Sequence, residues 1–213
     1  MSDQNKENRE FSLSSTHGIP QGFVCNNNNP TYSNTHVSLK CMCVNARSIV
    51  NKIDDLQAII TVENPDIFGI TESWTHEGTL DAKLSVNGYT LFCCDRLLDN
   101  RGGGVLLYVC SECHPCEYHP NSRFPEQIWC QLSVSNSESL LIGICYRSTS
   151  VSLYTQDTEK ELRDLIDELS GKHFLLMGDF NYPGIDWVRQ QCLSNVSEGG
   201  RLFLESVHGR GLH

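Results

Sequence analysis

Long apolar runs are missing from this sequence: no stretch approaches the roughly 20 apolar residues that a helix needs to cross a bilayer. The first residues, Met1 to Lys6, lack the charged and then apolar pattern of a secretory leader. Basic charge is also scarce, since 16 Lys and Arg stand against 26 Asp and Glu and the net charge is -10. We therefore expect a soluble intracellular protein, nuclear or cytoplasmic, with no membrane partner and no bulk electrostatic hold on nucleic acid.

The remaining composition is that of a folded protein. The chain has 213 residues, of which 39% are hydrophobic and 20% are charged, which suits one domain with a sizeable core. Residues 1–36 contain an asparagine run and no apolar periodicity, so we predict a disordered polar tail there. The predicted domain covers residues 37–213. Without a secretory pattern, the 11 cysteines are expected to be reduced thiols.

Hydrophobic periodicity predicts a mixture of strands and helices from residue 37 onward. Ile49, Ile53, Leu56 and Ile60 repeat at helical spacing, and Pro65 marks the end of that helix. The predicted helices are residues 48–62, 157–169 and 197–207. The predicted strands are residues 37–44, 66–71, 89–93, 105–110, 128–134, 140–146 and 174–178, with a hairpin between 128–134 and 140–146. This mixture predicts a layered α/β fold with a mixed sheet.

Polar residues stand at the carboxyl ends of several predicted strands: Asn45, Glu72, Tyr146, Asp179 and, two residues further, Asn181. Sites collect at such ends in open α/β sheets, where neighbouring strands lie about 5 Å apart. In an extended segment Asp179 and Asn181 would point the same way. Their oxygens suit Mg²⁺, whereas no set of His and Cys surrounds them to hold Zn²⁺. The competing interpretation is that each is a solvated turn residue.

The blocks around these positions resemble a known family. Gly178-Asp179-Phe180-Asn181 is similar to the GDFN signature of the endonuclease/exonuclease/phosphatase superfamily, which is related to DNase-I-like and apurinic/apyrimidinic endonucleases. From about Val37 onward the chain looks like the endonuclease of non-LTR retrotransposons. The blocks in matching order are Asn45-Ala46-Arg47-Ser48, Pro65-Asp66-Ile67, Thr71-Glu72-Ser73-Trp74, Arg101-Gly102-Gly103-Gly104-Val105 and Tyr146-Arg147. The resemblance implies a layered sandwich of mixed β-sheets flanked by helices.

The resemblance implies a role for each site residue. Glu72 resembles the principal metal ligand, and Asn45 resembles the neighbour that helps to hold the metal or to orient the phosphate. Asp179 resembles the carboxylate that positions or activates the attacking water. Asn181 and Tyr146 resemble the residues that stabilise and contact the scissile phosphate. The implied cofactor is Mg²⁺, with Mn²⁺ as an alternative.

The implied substrate is double-stranded DNA. In complete elements a reverse transcriptase module uses the nicked end as primer, and nothing resembling that module is present here. Arg96, Arg101 and Arg147 are candidate DNA contacts. For the first two, exposure to solvent without a function is an equally good interpretation, and Arg147 alternatively supports Tyr146. The glycine triplet beside Arg101 is predicted to be a tight turn that permits close backbone approach.

One block of the family pattern is absent. The pattern closes with Ser-Asp-His, whose His contacts the phosphate, but this chain has no Asp-His dipeptide and its last Asp is Asp186. We therefore expect that C-terminal strands are missing, that the domain is truncated, and that nicking is impaired. The alternatives are a decayed or domesticated fragment that binds nucleic acid or protein, and a phosphatase of the same superfamily.

A cluster of three cysteines outside these blocks could form a separate metal site. Cys110, Cys113 and Cys116 have the C-x2-C-x2-C spacing that holds zinc or an iron–sulfur cluster. No second C-x2-C pair appears, so a variable loop between strands is the favoured interpretation.

Overall fold

Two four-stranded β-sheets form the centre of the fold and are flanked by helices. The computed structural model describes residues 23–24, 36–76, 81–96, 102–134, 138–149 and 156–209. In chain order the elements are β1 (Phe23–Val24), β2 (His36–Val37), β3 (Cys41–Asn45), α1 (Ile53–Glu63), β4 (Ile67–Thr71), α2 (Asp81–Leu84), β5 (Tyr89–Cys94), β6 (Val105–Cys110), a 3₁₀ turn (Ser111–Cys113), β7 (Cys116–Glu117), β8 (Gln127–Ser133), β9 (Ser139–Tyr146), α3 (Gln156–Leu169), β10 (His173–Asp179), β11 (Ile185–Asp186), β12 (Gln191–Cys192) and α4 (Glu198–Gly209).

Each central sheet contains one parallel pair of strands. The first sheet has the order β3-β4-β6-β5, and β3 runs parallel to β4. The second sheet has the order β10-β9-β8-β7, and β10 runs parallel to β9. A parallel pair requires a crossover, which α1 supplies in the first sheet and α3 in the second. Each sheet therefore places two carboxyl ends side by side at one edge.

Alternating side chains explain how the layers pack. In β6, Val105 and Leu107 join an apolar cluster shared by both sheets, whereas Leu106 and Tyr108 join a cluster with α1. On the second sheet, helices α3 and α4 cover the outer face with Leu162, Leu165, Ile166, Leu169, Phe203 and Leu204. The predicted layered sandwich of mixed sheets flanked by helices is confirmed.

The first predicted helix starts later than its periodicity indicated. Helix α1 begins at Ile53, not at residue 48. Arg47 and Ser48 have φ angles of 44° and 80°, which an α-helix does not accept. Ile49 is buried in the apolar cluster with α1, and its N–H donates to the carbonyl of Ser73 at 2.9 Å, which holds the segment against the loop after β4. Its apolar character reflects the core and not a helical face.

The first predicted strand also starts later than expected, since β3 begins at Cys41 and not at residue 37; before it, the Lys40 N–H donates to the side chain of Asp66 at 2.7 Å and not to a neighbouring strand. The other predicted helices and strands match to within two residues.

The hairpin prediction is confirmed by β8 and β9, which pair antiparallel. Of its predicted turn, residues 136–138, only Glu138 is described, and its carbonyl accepts the N–H of Val134 at 2.9 Å. In the predicted tail, Phe23 pairs with Val37 across β1 and β2. Most of residues 1–35 lie outside the described ranges. Among the helices that the structure describes, none is both long enough and apolar enough to cross a membrane.

Candidate active site

The carboxyl ends of the two parallel pairs create the candidate site. Asn45, the last residue of β3, is in register with Thr71, the last residue of β4. Glu72 follows Thr71 directly. In the second sheet, Tyr146 at the end of β9 is in register with Asp179 at the end of β10. The sheet topology therefore brings together residues that are far apart in sequence.

Hydrogen bonds join these side chains across the two sheets. The amide Nδ2 of Asn45 donates to Glu72 Oε1 at 2.9 Å and to Asp179 Oδ2 at 3.0 Å. The hydroxyl of Tyr146 donates to the same Glu72 Oε1 at 3.0 Å. The Asn45 amide thus bridges two carboxylates, Glu72 after β4 and Asp179 at the end of β10, and the Tyr146 phenol binds Glu72. Of the residues predicted for the site, the structure brings these four into direct contact.

Asn181 takes a different orientation from the one its spacing predicted. Strand β10 ends at Asp179, and Asn181 has a φ of 49°, so the extended alternation does not continue. Its backbone N–H donates to Asp179 Oδ1 at 3.2 Å, while its side-chain Nδ2 donates to the carbonyl of Arg147 at 2.7 Å. The side chain therefore braces the end of β9, and its backbone contacts the carboxylate.

Left-handed backbone is concentrated around the site. Arg47, Ser48, Glu72, Trp74 and Asn181 have φ angles of 44°, 80°, 52°, 57° and 49°. Non-glycine residues in this region each cost energy, on the order of 1–3 kcal/mol where the conformation is sparsely populated, and they persist where surrounding structure fixes them. The Ser48 N–H donates to the Glu72 carbonyl at 2.9 Å, which is one of the contacts that hold these loops.

The glycine triplet forms a left-handed loop beside Glu72. Gly103 and Gly104 have φ angles of 74° and 79°, and their carbonyls accept the N–H groups of Trp74 at 2.9 Å and Ser73 at 3.1 Å. A Cβ on Gly103 would lie 2.2 Å from a carboxylate oxygen of Glu126. The absence of a side chain therefore lets the backbone approach a buried carboxylate, and the prediction of close approach is confirmed.

Arg96 and Arg147 bind internal carboxylates. Arg96 forms two hydrogen bonds with Glu126, and their side chains are only 9% and 4% exposed. Arg147 donates from Nε to Glu159 at 2.7 Å, lies 4.1 Å from the centroid of the Tyr182 ring, and is 16% exposed. Both side chains therefore support the site from inside the protein, and their role as DNA contacts stays a prediction. The third candidate contact, Arg101, lies outside the described residues.

Two groups beside the carboxylates remain uncharged. Burial, and then the negative charges of Glu72 and Asp179, raise the pKa of the Tyr146 phenol above its usual value. Burial, and then Asp179, raises the pKa of the Cys43 thiol to about 12. At neutral pH the Tyr146 hydroxyl is therefore protonated and donates its hydrogen bond.

The donor set fits a hard divalent cation. Glu72 and Asp179 supply carboxylate oxygens and Asn45 supplies an amide, and magnesium is usually held by one or two carboxylates with waters and substrate phosphate. No three His, Cys, Asp or Glu side chains of the described ranges form a group that could hold a metal ion by themselves. Cys110, Cys113 and Cys116 lie within the described ranges and form no such metal-binding group there.

Sequence reasoning missed the acidic residues that support the site. Glu126 is buried just before β8, and Glu159 of α3 accepts hydrogen bonds from Arg147 and Tyr182. A signal was present for Glu159, because it stands three residues before Leu162 on the apolar face of α3. Glu126 gave no such signal, since it follows a loop.

Comparisons with known proteins support the same architecture. The profile of the Endonuclease/Exonuclease/phosphatase family matches residues 42–209. The AP endonuclease of Leishmania major superposes with a TM-score of 0.64 at 16% identity, covering 80% of this chain and 66% of that chain. The endonuclease domain of TRAS1, a telomere-specific non-LTR retrotransposon, superposes with a TM-score of 0.58 at 10% identity, covering 83% of this chain and 72% of that chain.

A third solved structure has DNA bound. A variant of the 3′ phosphatase NExo from Neisseria, bound to a product DNA hairpin, superposes with a TM-score of 0.53 at 17% identity, covering 70% of this chain and 60% of that chain. At such identities the superpositions show a shared fold. The chain spans less than two thirds of the Neisseria protein and 66% of the Leishmania enzyme. No curated protein sequence matches the chain.

Proposed function

Because this chain belongs to the Endonuclease/Exonuclease/phosphatase family of hydrolases, we propose that it is a magnesium-dependent phosphodiesterase that nicks double-stranded DNA. One observation carries the proposal. The carboxylates of Glu72 and Asp179 come from different sheets and are bridged by the amide of Asn45, within 3.0 Å of each oxygen. Such a convergence of carboxylates at strand ends suits the binding of a cation and of a phosphate.

In the proposed mechanism the residues act from the ends of the parallel strands. Glu72 and Asn45 would hold Mg²⁺, for which Mn²⁺ is an alternative. The bound cation supplies neutralisation of negative charge on the phosphate. Asp179 orients the attacking water and accepts its proton, while the hydroxyl of Tyr146 and the amide of Asn181 donate hydrogen bonds to the phosphate oxygens. For Asn181 this requires its amide to leave the carbonyl of Arg147, which it contacts at 2.7 Å. For Tyr146 it requires the phenol proton to turn from Glu72 Oε1, which lies at 3.0 Å, to the phosphate.

Two kinds of similarity support DNA as the substrate. The superposed structures include an AP endonuclease and a 3′ phosphatase bound to product DNA. The blocks around Asn45, Glu72 and Tyr146 resemble the retrotransposon endonucleases, and a TRAS1 endonuclease domain is among the structures with the same fold. We therefore propose the retrotransposon type, in which a reverse transcriptase module extends the nicked strand.

The test is nicking of supercoiled plasmid by the 213-residue chain in Mg²⁺, with Glu72→Ala alongside. Glu63→Ala is the matched control, because Glu63 is also an acidic residue near the first sheet but forms an exposed ion pair with Lys40. We expect nicked circles with the wild type and with Glu63→Ala, and none with Glu72→Ala or in EDTA. Equal nicking by Glu72→Ala would contradict the proposal.

The same proteins separate the two alternatives. Release of phosphate from a 3′-phosphorylated DNA end or from an inositol polyphosphate, without plasmid nicking, would indicate a phosphatase. The superposed Neisseria protein is itself named a 3′ phosphatase. DNA binding that survives Glu72→Ala, with no cleavage by the wild type, would indicate a non-catalytic module.

We also propose that turnover by these 213 residues is low, because they contain no Asp-His dipeptide. A histidine and its orienting carboxylate act as a unit whose loss reduces rates by orders of magnitude. Turnover equal to that of an intact retrotransposon endonuclease, in the same plasmid assay, would refute this part.

A further inference from the structure

A buried ion pair links the two sheets at the same end as the candidate site. Arg96 follows β5 of the first sheet, and Glu126 precedes β8 of the second. The guanidinium Nε and Nη2 donate to the two carboxylate oxygens of Glu126 at 3.1 and 2.9 Å. Replacing a buried ion pair by apolar side chains is often neutral or stabilising, so burial of this pair is weak evidence for a stability role. Its contacts indicate another role.

The first set of contacts leads to Glu72. Glu126 Oε1 accepts the backbone N–H of Gly104 at 2.7 Å. The carbonyl of Gly104 in turn accepts the N–H of Ser73, the residue after Glu72, at 3.1 Å. The left-handed backbone of Glu72 is therefore held, through one intervening residue, Gly104, by the carboxylate of Glu126.

The second set of contacts leads to Tyr146. The backbone carbonyl of Glu126 accepts the Tyr146 N–H at 2.9 Å. The Cζ atom of Arg96 lies 5.9 Å from the centroid of the Tyr146 ring, within the range of a cation–π contact. The pair thus contacts Tyr146 directly and the segment of Glu72 through Gly104, so it is linked to both partners of the hydrogen bond between Tyr146 and Glu72.

We propose that the Arg96–Glu126 ion pair is a positioning clamp, which holds Glu72 and Tyr146 at their separation and so sets metal affinity and turnover. This inference rests on the proposed phosphodiesterase function. A bidentate pair suits the task because two parallel hydrogen bonds fix orientation as well as distance. Gly103 leaves room for the ion pair, since a Cβ there would lie 2.2 Å from both Arg96 Nε and Glu126 Oε1.

The test compares variants that remove the clamp without leaving an unpaired buried charge. Arg96→Met with Glu126→Gln removes both charges and keeps an oxygen that can accept the Gly104 N–H. Arg96→Lys keeps the charge and loses the bidentate geometry. Tyr108→Phe is the stability control, because it removes a buried hydrogen bond to the Leu84 carbonyl on the helix-facing side of the first sheet. Each full chain is assayed for Mn²⁺ affinity by electron paramagnetic resonance, and for kcat and KM on supercoiled plasmid.

We expect the double variant to lose roughly 10- to 100-fold in Mn²⁺ affinity or in kcat, with KM for plasmid little changed, because a supporting partner has been removed. Arg96→Lys should fall between the double variant and the wild type. Tyr108→Phe should keep wild-type values even where its unfolding midpoint drops. Should the double variant not fold, Arg96→Lys decides alone.

Wild-type Mn²⁺ affinity and kcat in the folded double variant, or in Arg96→Lys when that variant decides, would overturn the clamp. So would an equal loss of both in Tyr108→Phe, which would assign the effect to stability. Failure of the proposed function looks different, because then the wild type itself neither binds Mn²⁺ through Glu72 nor nicks plasmid.

Discussion

The hydroxyl of Tyr146 links the second sheet, to which Tyr146 belongs, to Glu72 after the first sheet by a single hydrogen bond. The ring packs in the apolar cluster between the sheets and is 6% exposed, while its oxygen lies 3.0 Å from Glu72 Oε1. The residue therefore has one part that contributes to the core and one part that contributes to the site. A substitution that removes only the oxygen separates these contributions.

We predict that Tyr146→Phe nicks plasmid more slowly and folds normally. A hydrogen bond to a charged group contributes about 1.5–3 kcal/mol, so a contact used in the transition state corresponds to roughly a 10- to 100-fold loss in kcat. Nicking rates and a urea unfolding curve measure the two effects. Tyr89→Phe is the control, since it removes a phenol that donates to the Pro65 carbonyl away from the site. Unchanged nicking by Tyr146→Phe would exclude the proposed contact with phosphate.

Individual residues also show what the sequence could predict about the site. Asn45, Glu72, Tyr146 and Asp179 were identified from their positions at strand ends and from the resemblance, and the structure places them in contact. Their catalytic roles stay predictions. The pairing of Arg96 with Glu126 was not predictable, because it joins residues 30 positions apart that share no periodic pattern.

At the scale of elements, the strands β8 and β9 pack closely because a glycine on one strand faces a tryptophan on the other. Gly143 of β9 is in register with Trp129 of β8, and the indole occupies the space that a side chain at position 143 would need. Trp129 is 1% exposed and contacts Phe174 of β10 in an edge-on arrangement. A glycine inside a strand here reflects the close approach of a large ring.

We predict that Gly143→Ala lowers the free energy of unfolding by about 1–3 kcal/mol, the usual cost of overpacking a core. The added Cβ would lie 2.4 Å from Trp129 Cη2. Trp129→Phe in the same chain should reduce the penalty of the Ala, because the indole atoms that clash are gone. Gly209→Ala is the control, since nothing lies within 4 Å of its Cβ position. Urea denaturation measures the wild type, Gly143→Ala, Trp129→Phe, the double variant and Gly209→Ala, and an equal penalty with and without Trp129 would contradict this packing argument.

The helices also show why the residue at which a helix begins is harder to predict than the face that it buries. The apolar face of α3 was predicted fully, and Leu162, Leu165, Ile166 and Leu169 are all buried. The start of α1 was wrong by five residues, because Ile49 fits both a helical pattern and a buried loop. Only the loop after β4, which supplies the Ser73 carbonyl, distinguishes the two, and that contact is nonlocal.

At the scale of the whole molecule, the assignment of strands to two sheets determines where the site lies. Alternation in β6 shows which residues share a face, but not which neighbours each strand selects. The sequence therefore predicted a layered mixed sheet without showing that each parallel pair belongs to a separate sheet. Because Glu72 follows one pair and Asp179 ends the other, the site depends on the packing of the sheets together.

The charge of the whole molecule leads to a prediction about DNA affinity. With a net charge of -10, the protein gains little affinity for DNA from its overall charge, so the cation proposed at Glu72 would offset repulsion near the phosphate. We predict that a labelled duplex binds more tightly in Mg²⁺ than in EDTA, on the order of tenfold or more, which corresponds to about 1.4 kcal/mol. Fluorescence anisotropy at constant ionic strength measures this difference, and Glu72→Ala should abolish it. Equal binding in EDTA would place the affinity in local basic residues and would separate DNA binding from the metal site.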